Sequence, residues 1–347
     1  MPDAVSHYAA MLANRTLPSD ALCLTAVRGL SVDEALARFD AAPRTRATTF
    51  TEAGQASISA YPDELPLVVA DELDGWVFLA EHGGFHGSLP EVLAALSAGT
   101  TAVTAFWNVD VDNTITLARD GRILDAMDFV LDHEPTAELT VHLDGLDFED
   151  PELMCASALA FVERVTGVRL GADWFAEPHR TATITPSWRF ESFDPASWLA
   201  VNAPEIFDLL PEAGTPVLRE IATTAARRAC AANGVEDGLS QSRDQLTARL
   251  RETHFEALDL RWDRCTPTDP CADPVTRLQA DHARRYADTT AERVLVARAH
   301  ALAAVRACLA EDAITAAAQA LINACQADRA HWADLRRQAA TRLAGAR

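Results

Sequence analysis

The chain has 347 residues, of which 49% are hydrophobic and 23% charged, and a formal net charge of −21. This length allows two domains with buried cores, and this composition excludes a wholly disordered chain. No apolar run reaches the roughly 18 residues that a membrane-spanning helix needs. The first residues lack the basic start and apolar stretch of a signal peptide. We therefore expect a cytoplasmic protein that does not associate with membranes.

Charge is distributed unevenly along the chain. Residues 1–190 hold 29 Asp and Glu against 11 Arg, whereas residues 191–347 hold 22 against 19. The negative front part disfavours direct binding of DNA or RNA, because it repels their phosphates. It would instead speed association with a protein partner that has a basic surface. Solubility alone is the simpler explanation of this charge.

Strand and helix patterns are mixed in the front part. Residues 21–27 are apolar and predict a buried strand. The helix predicted after them is preceded by Ser31, which can form a capping box with Glu34. Residues 40–60 are small and polar, and they predict a loop.

Two Asp-Gly pairs, at Asp74 and Asp120, each lie between two strand-like runs. The dipeptide tolerates the positive φ angles of a type I′ turn, so each pair predicts a β-hairpin. A helix and a further strand are predicted between the two hairpins. We therefore predict that residues 1–190 form an acidic α+β domain, with an antiparallel sheet and flanking helices.

Strand signals stop in the rear part of the chain. Val217 to Ala232 predict a helix that ends at Asn233-Gly234, and residues 274–310 and 313–344 predict long helices. We therefore predict that residues 191–347 form an all-helical domain. The long apolar stripe of the last segment favours packing in a helical bundle. A homodimer through these C-terminal helices is the alternative.

Several front segments resemble one protein family in order and approximate spacing. The similar segments are residues 21–41, 74–110, 117–129 and 159–170. The most specific parts are Gly75-Trp76, the turn from Glu81 to Gly84, the Leu-Ser-x-Gly-Thr of residues 96–100, and Asn108-Val109. On these residues the chain is similar to an actinobacterial family catalogued as domain of unknown function 6461. The resemblance covers roughly residues 5–180, and it implies a fold boundary but no activity.

A histidine- and glycine-rich segment is the first candidate site. His82 and His86 lie in the sequence EHGGFHGS, beside Glu81. Two imidazoles and nearby carboxylates can bind a metal ion, and Asp110 and Asp112 follow the next predicted strand. The four residues His82, His86, Asp110 and Asp112 are thus a candidate metal site. The alternative is a strand-to-helix turn in which the glycines supply backbone freedom.

A second candidate site is a ligand pocket formed by Trp76, Glu81 and Asn108, which lie at predicted strands or their ends. Trp107 is expected in the core, with its indole N–H bound to a partner. The acidic run of residues 144–152 could bind calcium or a basic peptide. It lacks the ligand spacing and central glycine of an EF-hand, so we expect a solvated loop that caps a helix.

No sequence motif specifies a reaction: the chain has no G-x-S-x-G, Walker, dinucleotide-binding or zincin motif. No catalytic residue and no cofactor is therefore assigned. We expect a non-catalytic interaction or regulatory protein, of the kind found as immunity proteins or antitoxins in conflict systems. The alternatives are a metal-dependent hydrolase that uses the His/Asp cluster, and an acidic inhibitor that mimics DNA.

Overall fold

A computed structural model of the chain describes residues 3–61, 64–129, 134–185, 190, 194–266 and 289–346. The described residues separate into two compact units, and the first of them contains a β-sheet that ends at Ile184. The second unit begins at Thr185, a few residues before the predicted boundary at 190, and it is helical. The predicted order of an α+β part followed by a helical part is confirmed. No described helix is long and apolar enough to cross a membrane.

The described strands of the first unit form one antiparallel sheet of eight strands. Its strands are β1 (Leu22–Arg28), β2 (Ala41–Pro43), β3 (Leu67–Leu73), β4 (Trp76–His82), β5 (Thr101–Trp107), β6 (Thr114–Arg119), β7 (Arg122–Asp128) and β8 (Arg180–Ile184). Their order across the sheet is β2-β8-β3-β4-β1-β5-β6-β7. The strand β1 is central and pairs antiparallel with both β4 and β5.

The helices are named here in chain order. Those of the first unit are α1 (Ala4–Ala13), α2 (Val32–Arg38), α3 (Phe50–Ser59), α4 (Pro90–Leu96), α5 (Ala137–Thr140), α6 (Met154–Thr166) and α7 (Ala172–Ala176). Those of the second unit are α8 (Pro195–Asn202), α9 (Pro204–Phe207), α10 (Thr215–Asn233), α11 (Arg243–Cys265), α12 (Thr290–Ala307), α13 (Ala313–Ala327) and α14 (Trp332–Ala344). The segment 267–288, where the predicted helix from residue 274 would begin, lies outside the described residues.

Both predicted hairpins are present and have the expected turn geometry. Asp74 and Gly75 connect β3 to β4 with φ angles of 51° and 77°. Asp120 and Gly121 connect β6 to β7 with φ angles of 50° and 76°. Two consecutive positive φ angles define the type I′ turn, whose twist matches that of the flanking strands. The local chemistry of Asp-Gly therefore sets the register of β3 with β4, and that of β6 with β7 up to the irregularity at Leu117 and Ala118.

Helices cover both faces of the sheet. On one face, Val77 and Leu79 of β4 pack with Leu36 of α2 and Leu93 of α4; we call it the α2/α4 face. On the opposite face, Phe78 contacts Trp174 of α7 with ring centroids 6.3 Å apart; we call it the α3/α7 face. Successive side chains of a strand point to opposite faces, so each buried strand contributes to both cores.

The prediction of a loop over residues 40–60 is wrong. This segment contains the short strand β2 and the helix α3. Thr49 and Glu52 form a complete capping box at the start of α3, and Phe50 is buried. The residues of α3 that follow Phe50 are mostly small, so they lack the apolar pattern that usually marks a helix. Their small size lets α3 lie close to the sheet.

Alanine dominates the core of the second unit. The helix α10 packs on α12 and α13, and the buried alanines at these contacts include Ala222, Ala225, Ala226, Ala229, Ala304, Ala316, Ala317 and Ala320. Small side chains allow the helix backbones to approach closely. The predicted helix end is also confirmed, because Gly234 follows α10 with a φ angle of 63°.

A buried ionic group joins α11 to α12. Glu292 accepts hydrogen bonds from Nε of Arg261 at 2.5 Å and from Nη2 of Arg264 at 3.2 Å. The Glu292 and Arg261 side chains are only 5% and 7% exposed. Water therefore screens this pair little, and loss of one partner leaves a charge in the interior.

We predict that Glu292→Gln destabilises the helical unit by about 3 kcal/mol, because the two guanidinium groups lose their buried counter-charge. The matched control is Glu220→Gln, which removes a carboxylate paired with Arg342 at an exposed position. It should change stability by less than about 1 kcal/mol. Urea unfolding followed by circular dichroism measures both effects. Equal effects of the two variants would contradict this account of Glu292.

Candidate functional site

The candidate site lies at the end of the sheet where β4 and β5 finish and β1 begins. In the register, Leu22 of β1 stands opposite His82 on one side and Trp107 on the other. The glycine-rich turn, residues 83–88, follows β4, and the loop of residues 108–113 follows β5. Both connections therefore lie at the same end of the sheet, on either side of the start of β1.

Glu81 holds the glycine-rich turn. Its carboxylate lies on the α2/α4 face and the residue is only 1% exposed. The Oε1 atom accepts the backbone N–H of Gly87 at 2.7 Å, and Oε2 accepts the backbone N–H of His86 at 3.1 Å. One buried side chain thus satisfies two backbone donors of a turn that is irregular at this point.

Three side chains on neighbouring strands extend this interaction into a buried polar cluster, defined as Cys23, Thr25, Glu81, His86 and Thr104. Cys23 stands opposite Glu81 in the register, and its thiol lies 3.7 Å from the Thr104 hydroxyl. The hydroxyl oxygens of Thr25 and Thr104 are 3.0 Å apart, and the Thr25 hydroxyl donates to the Gly87 carbonyl at 3.3 Å. The strands and the turn are therefore joined by one hydrogen-bonded network.

Two positions in the turn require glycine for lack of space. A Cβ atom on Gly84 would clash with Oε2 of Glu81. A Cβ atom on Gly87 would clash with the Thr25 hydroxyl and stand 3.1 Å from Sγ of Cys23. The glycines thus permit the close backbone approach that brings the two N–H groups to the carboxylate.

Burial governs the electrostatics of the polar cluster. Burial raises the pKa of Glu81 to about 7, against the opposing effect of the N–H groups of Gly87 and His86 and the Cys23 thiol. Burial, and next the charge of Glu81, raise the pKa of Cys23 well above its ordinary value. Cys23 is therefore a neutral hydrogen-bond donor at neutral pH, and it lacks the thiolate that a nucleophilic cysteine needs.

The two histidines of the predicted metal site lie on opposite faces of the sheet. His82 faces α3, where its ring is 5.3 Å from that of Phe50, and a Cβ on Gly54 would stand 2.5 Å from its Cγ. His86 is buried on the α2/α4 face, and its Nε2 donates to the Phe39 carbonyl at 3.0 Å. The sheet itself separates the two imidazoles.

The two aspartates of the predicted metal site lie in the loop after β5 and are exposed. Asn108 organises this loop: its Oδ1 accepts the backbone N–H groups of Asp110 and Asp112, each at 2.9 Å. Its Nδ2 donates to Oδ2 of Asp112 at 3.1 Å. Within the described ranges, no three His, Cys, Asp or Glu side chains are placed to hold a metal ion. The structure does not bring the four predicted ligands together.

The predicted ligand residues Trp76, Glu81 and Asn108 do not converge either. Trp76 begins β4 and Glu81 lies near its end, about 17 Å away at the rise of a β-strand. Their side chains also point to opposite faces, because their positions differ by an odd number. Glu81 and Asn108 do share one end of the sheet, but the Asn108 amide serves its own loop.

Sequence reasoning missed Cys23, Thr25 and Thr104. The available signal was the presence of Thr25 and Thr104 inside strands that are otherwise largely apolar. Trp107 lies in the core, as expected, since the residue is only 1% exposed. The hydrogen-bond partner expected for its indole N–H is not found, because the buried Nε1 has none in the part of the chain that the structure describes.

Acidic side chains from two distant segments share the end of the sheet after β5. The backbone N–H of Phe129 donates to the Asn113 carbonyl at 3.0 Å, and the rings of Phe129 and Phe148 are 5.0 Å apart. The Nδ2 of Asn113 lies 4.0 Å from Sδ of Met154. These contacts join the loop of residues 108–113 to the segment before α6. The exposed carboxylates of this loop and this segment are together called the acidic end surface: Asp110, Asp112, Asp147, Glu149 and Glu152.

The chain belongs to a family of unknown function, DUF6461, whose model matches residues 6–188. This match confirms the resemblance found in the sequence and covers the sheet-bearing unit. The helical unit lies outside it. Neither the curated proteins nor the solved structures include a match to this chain.

We predict that Gly87→Ala destabilises the sheet-bearing unit by about 1–3 kcal/mol, because the added methyl group displaces the buried Thr25 hydroxyl or the turn. Gly171→Ala is the matched control, since a Cβ there meets no atom within 4 Å. The control should lose less than about 1 kcal/mol. Urea unfolding followed by tryptophan fluorescence measures both. An unaffected Gly87→Ala variant would mean that the turn is not packed on the polar cluster.

Proposed function

We propose that this protein is a non-catalytic interaction protein that binds a partner with a basic surface through the acidic end surface. The observation that supports this most is the convergence of two acidic segments at one end of the sheet. Asp110 and Asp112 come from the loop after β5, and Glu149 and Glu152 from the segment before α6. The contacts of Asn113 and Phe129 join these segments. Such a field of one sign attracts an oppositely charged partner and speeds its association.

The loop after β5 is organised in the manner that binding requires. The Asn108 amide bonds to Asp110 and Asp112, and Val111 has a φ angle of 68°, which is rare for a β-branched residue. A loop that is held in one shape loses less conformational entropy when a partner binds. Its ordered conformation thus favours recognition.

Apolar side chains accompany the carboxylates. Val109 and Val111 are 72% and 53% exposed at the tip of the same loop. Apolar contacts surrounded by charged groups are the usual anatomy of a protein–protein interface. Nucleic acid is a poor partner for the acidic end surface, because phosphate and carboxylate repel each other.

A toxin whose cationic surface normally contacts nucleic acid has the chemistry that the acidic end surface would recognise. An immunity or antitoxin role in a conflict system therefore fits the proposed binding mode. The described cysteines are all free thiols, which agrees with a reducing compartment such as the cytoplasm. A homodimer through the C-terminal helices stays a separate prediction.

We predict that neutralising the acidic end surface weakens partner binding about tenfold or more, because the complementary charges are lost. The test variant carries Asp110→Asn, Asp112→Asn, Glu149→Gln and Glu152→Gln. The protein is used to capture partners from host cells at low and moderate ionic strength, and each captured protein is then purified and titrated by calorimetry. The affinity should fall with added salt for the unmodified protein and much less for the variant.

The matched control neutralises four carboxylates away from that surface: Glu72→Gln, Asp74→Asn, Glu91→Gln and Asp120→Asn. Asparagine tolerates the positive φ angles of the two hairpin turns, so this control should keep its fold and its affinity. Equal losses in both variants, or a partner without a basic surface, would contradict the proposal. If DNA and this protein compete for the partner, the acidic end surface occupies the partner's DNA-binding site and acts as a DNA mimic.

A further inference from the structure

Glu81 is a buried carboxyl group at the end of β4. The backbone N–H groups of His86 and Gly87 donate to its carboxylate. No arginine or histidine side chain forms an ion pair with it among the described residues. A buried carboxylate without a counter-ion is unfavourable, and such a group either takes up a proton or gains access to water.

Glu81 is one of the groups that hold the turn over it, together with the His86 ring on the Phe39 carbonyl and the Thr25 hydroxyl on the Gly87 carbonyl. The backbone N–H groups of His86 and Gly87 both bond to the carboxylate, and the bond from Gly83 N to the Ala21 carbonyl is long, at 3.4 Å. Gly83 has a φ angle of 70°, and the glycines at three of the six turn positions favour alternative backbone conformations. The bonds that hold the turn are separate from the pairing of β1 with β4 and β5, so opening of the turn would leave these strands paired.

We propose that the glycine-rich turn is a proton-controlled latch: it is closed when Glu81 is protonated, and ionisation of Glu81 favours an open form in which water reaches the carboxylate. Opening would expose the polar cluster beneath the turn. Cys23 is the group affected first, because the Gly87 position lies directly over its thiol. The turn also carries Phe85, which is 49% exposed, so the latch moves an aromatic side chain at the surface.

The direction of the effect follows from proton linkage. The closed form holds the pKa of Glu81 at about 7, whereas an open form with hydrated carboxyl has the ordinary value of 4.5. The closed form therefore binds the proton more tightly, and its advantage is full below the ordinary pKa. That advantage is lost as pH rises through the interval between the two values, by up to about tenfold in the opening equilibrium per pH unit.

The groups of the polar cluster and its surroundings come from β1, β5, the turn and the end of α2. The strand β1 contributes Cys23, whose pKa is raised well above its usual range, and β5 contributes the neutral Thr104. The turn contributes His86, whose ring donates to the Phe39 carbonyl at the end of α2, and Asp40 follows there. His82 is next in the chain but faces α3.

The test is hydrogen exchange of the His86 and Gly87 amides by nuclear magnetic resonance, corrected for the intrinsic effect of pH. Their protection should fall at least about tenfold between pH 5 and pH 8 in the unmodified protein. It should not change with pH in Glu81→Gln, whose side chain cannot ionise, and it should fall in the exposed control Glu91→Gln as in the unmodified protein. The same decline in Glu81→Gln would overturn the latch, as would constant protection in the unmodified protein.

Two further measurements keep the test decisive if Glu81→Gln fails to fold. The side-chain carboxyl ¹³C signal of Glu81 in the unmodified protein reports its titration directly, and a midpoint near the ordinary value would overturn the latch. Labelling of Cys23 by a thiol reagent, normalised to the unfolded chain at each pH, should become faster as Glu81 ionises. Unchanged labelling across the titration of Glu81 would also overturn it.

Discussion

The alternation of side chains along β4 is the constraint on which the candidate site depends. Because β4 is buried on both faces, each residue belongs to one core or the other, and a shift of one position would exchange them. Glu81 therefore lies under the glycine-rich turn, whereas His82 packs against α3. The Asp74-Gly75 hairpin and the pairing with β1 hold this register. This register encloses the Glu81 carboxyl group with the backbone N–H donors of the turn, whereas the neighbouring His82 imidazole packs against Phe50.

Enclosure of Glu81 has two opposing consequences. Its hydrogen bonds to His86 and Gly87 order a turn that would otherwise have unsatisfied N–H groups. Its removal from water disfavours the ionised form, which raises the pKa to about 7. A group balanced in this way is structural and also responsive to pH, and the proposed latch depends on that balance. The acidic end surface is different, since its carboxylates are exposed and act through their combined field.

The helical unit obtains its stability from different interactions. Its core is made largely of alanine, which contributes little apolar area per residue but permits close helix packing. Polar side chains supply specific contacts between helices: Arg219 donates to the carbonyl groups of Cys308 and Ala310 at the end of α12, at 3.1 and 2.6 Å. The buried group around Glu292 joins α11 to α12 in the same way. Arginine thus serves as the linking residue in a chain that has no lysine.

The sequence by itself determined the features that depend on neighbouring residues. The two Asp-Gly hairpins, the capping box of Ser31, the helix end at Gly234 and the succession of an α+β part and a helical part were all predicted, because turn and cap chemistry acts over a few positions. Only the tertiary structure decided which residues meet. It separated His82 from His86, assigned Asn108 to its own loop, placed Cys23 beside Glu81, and made a helix of residues predicted as a loop. Strand order, register and burial set these contacts, and they arise from pairing between segments that are distant along the chain.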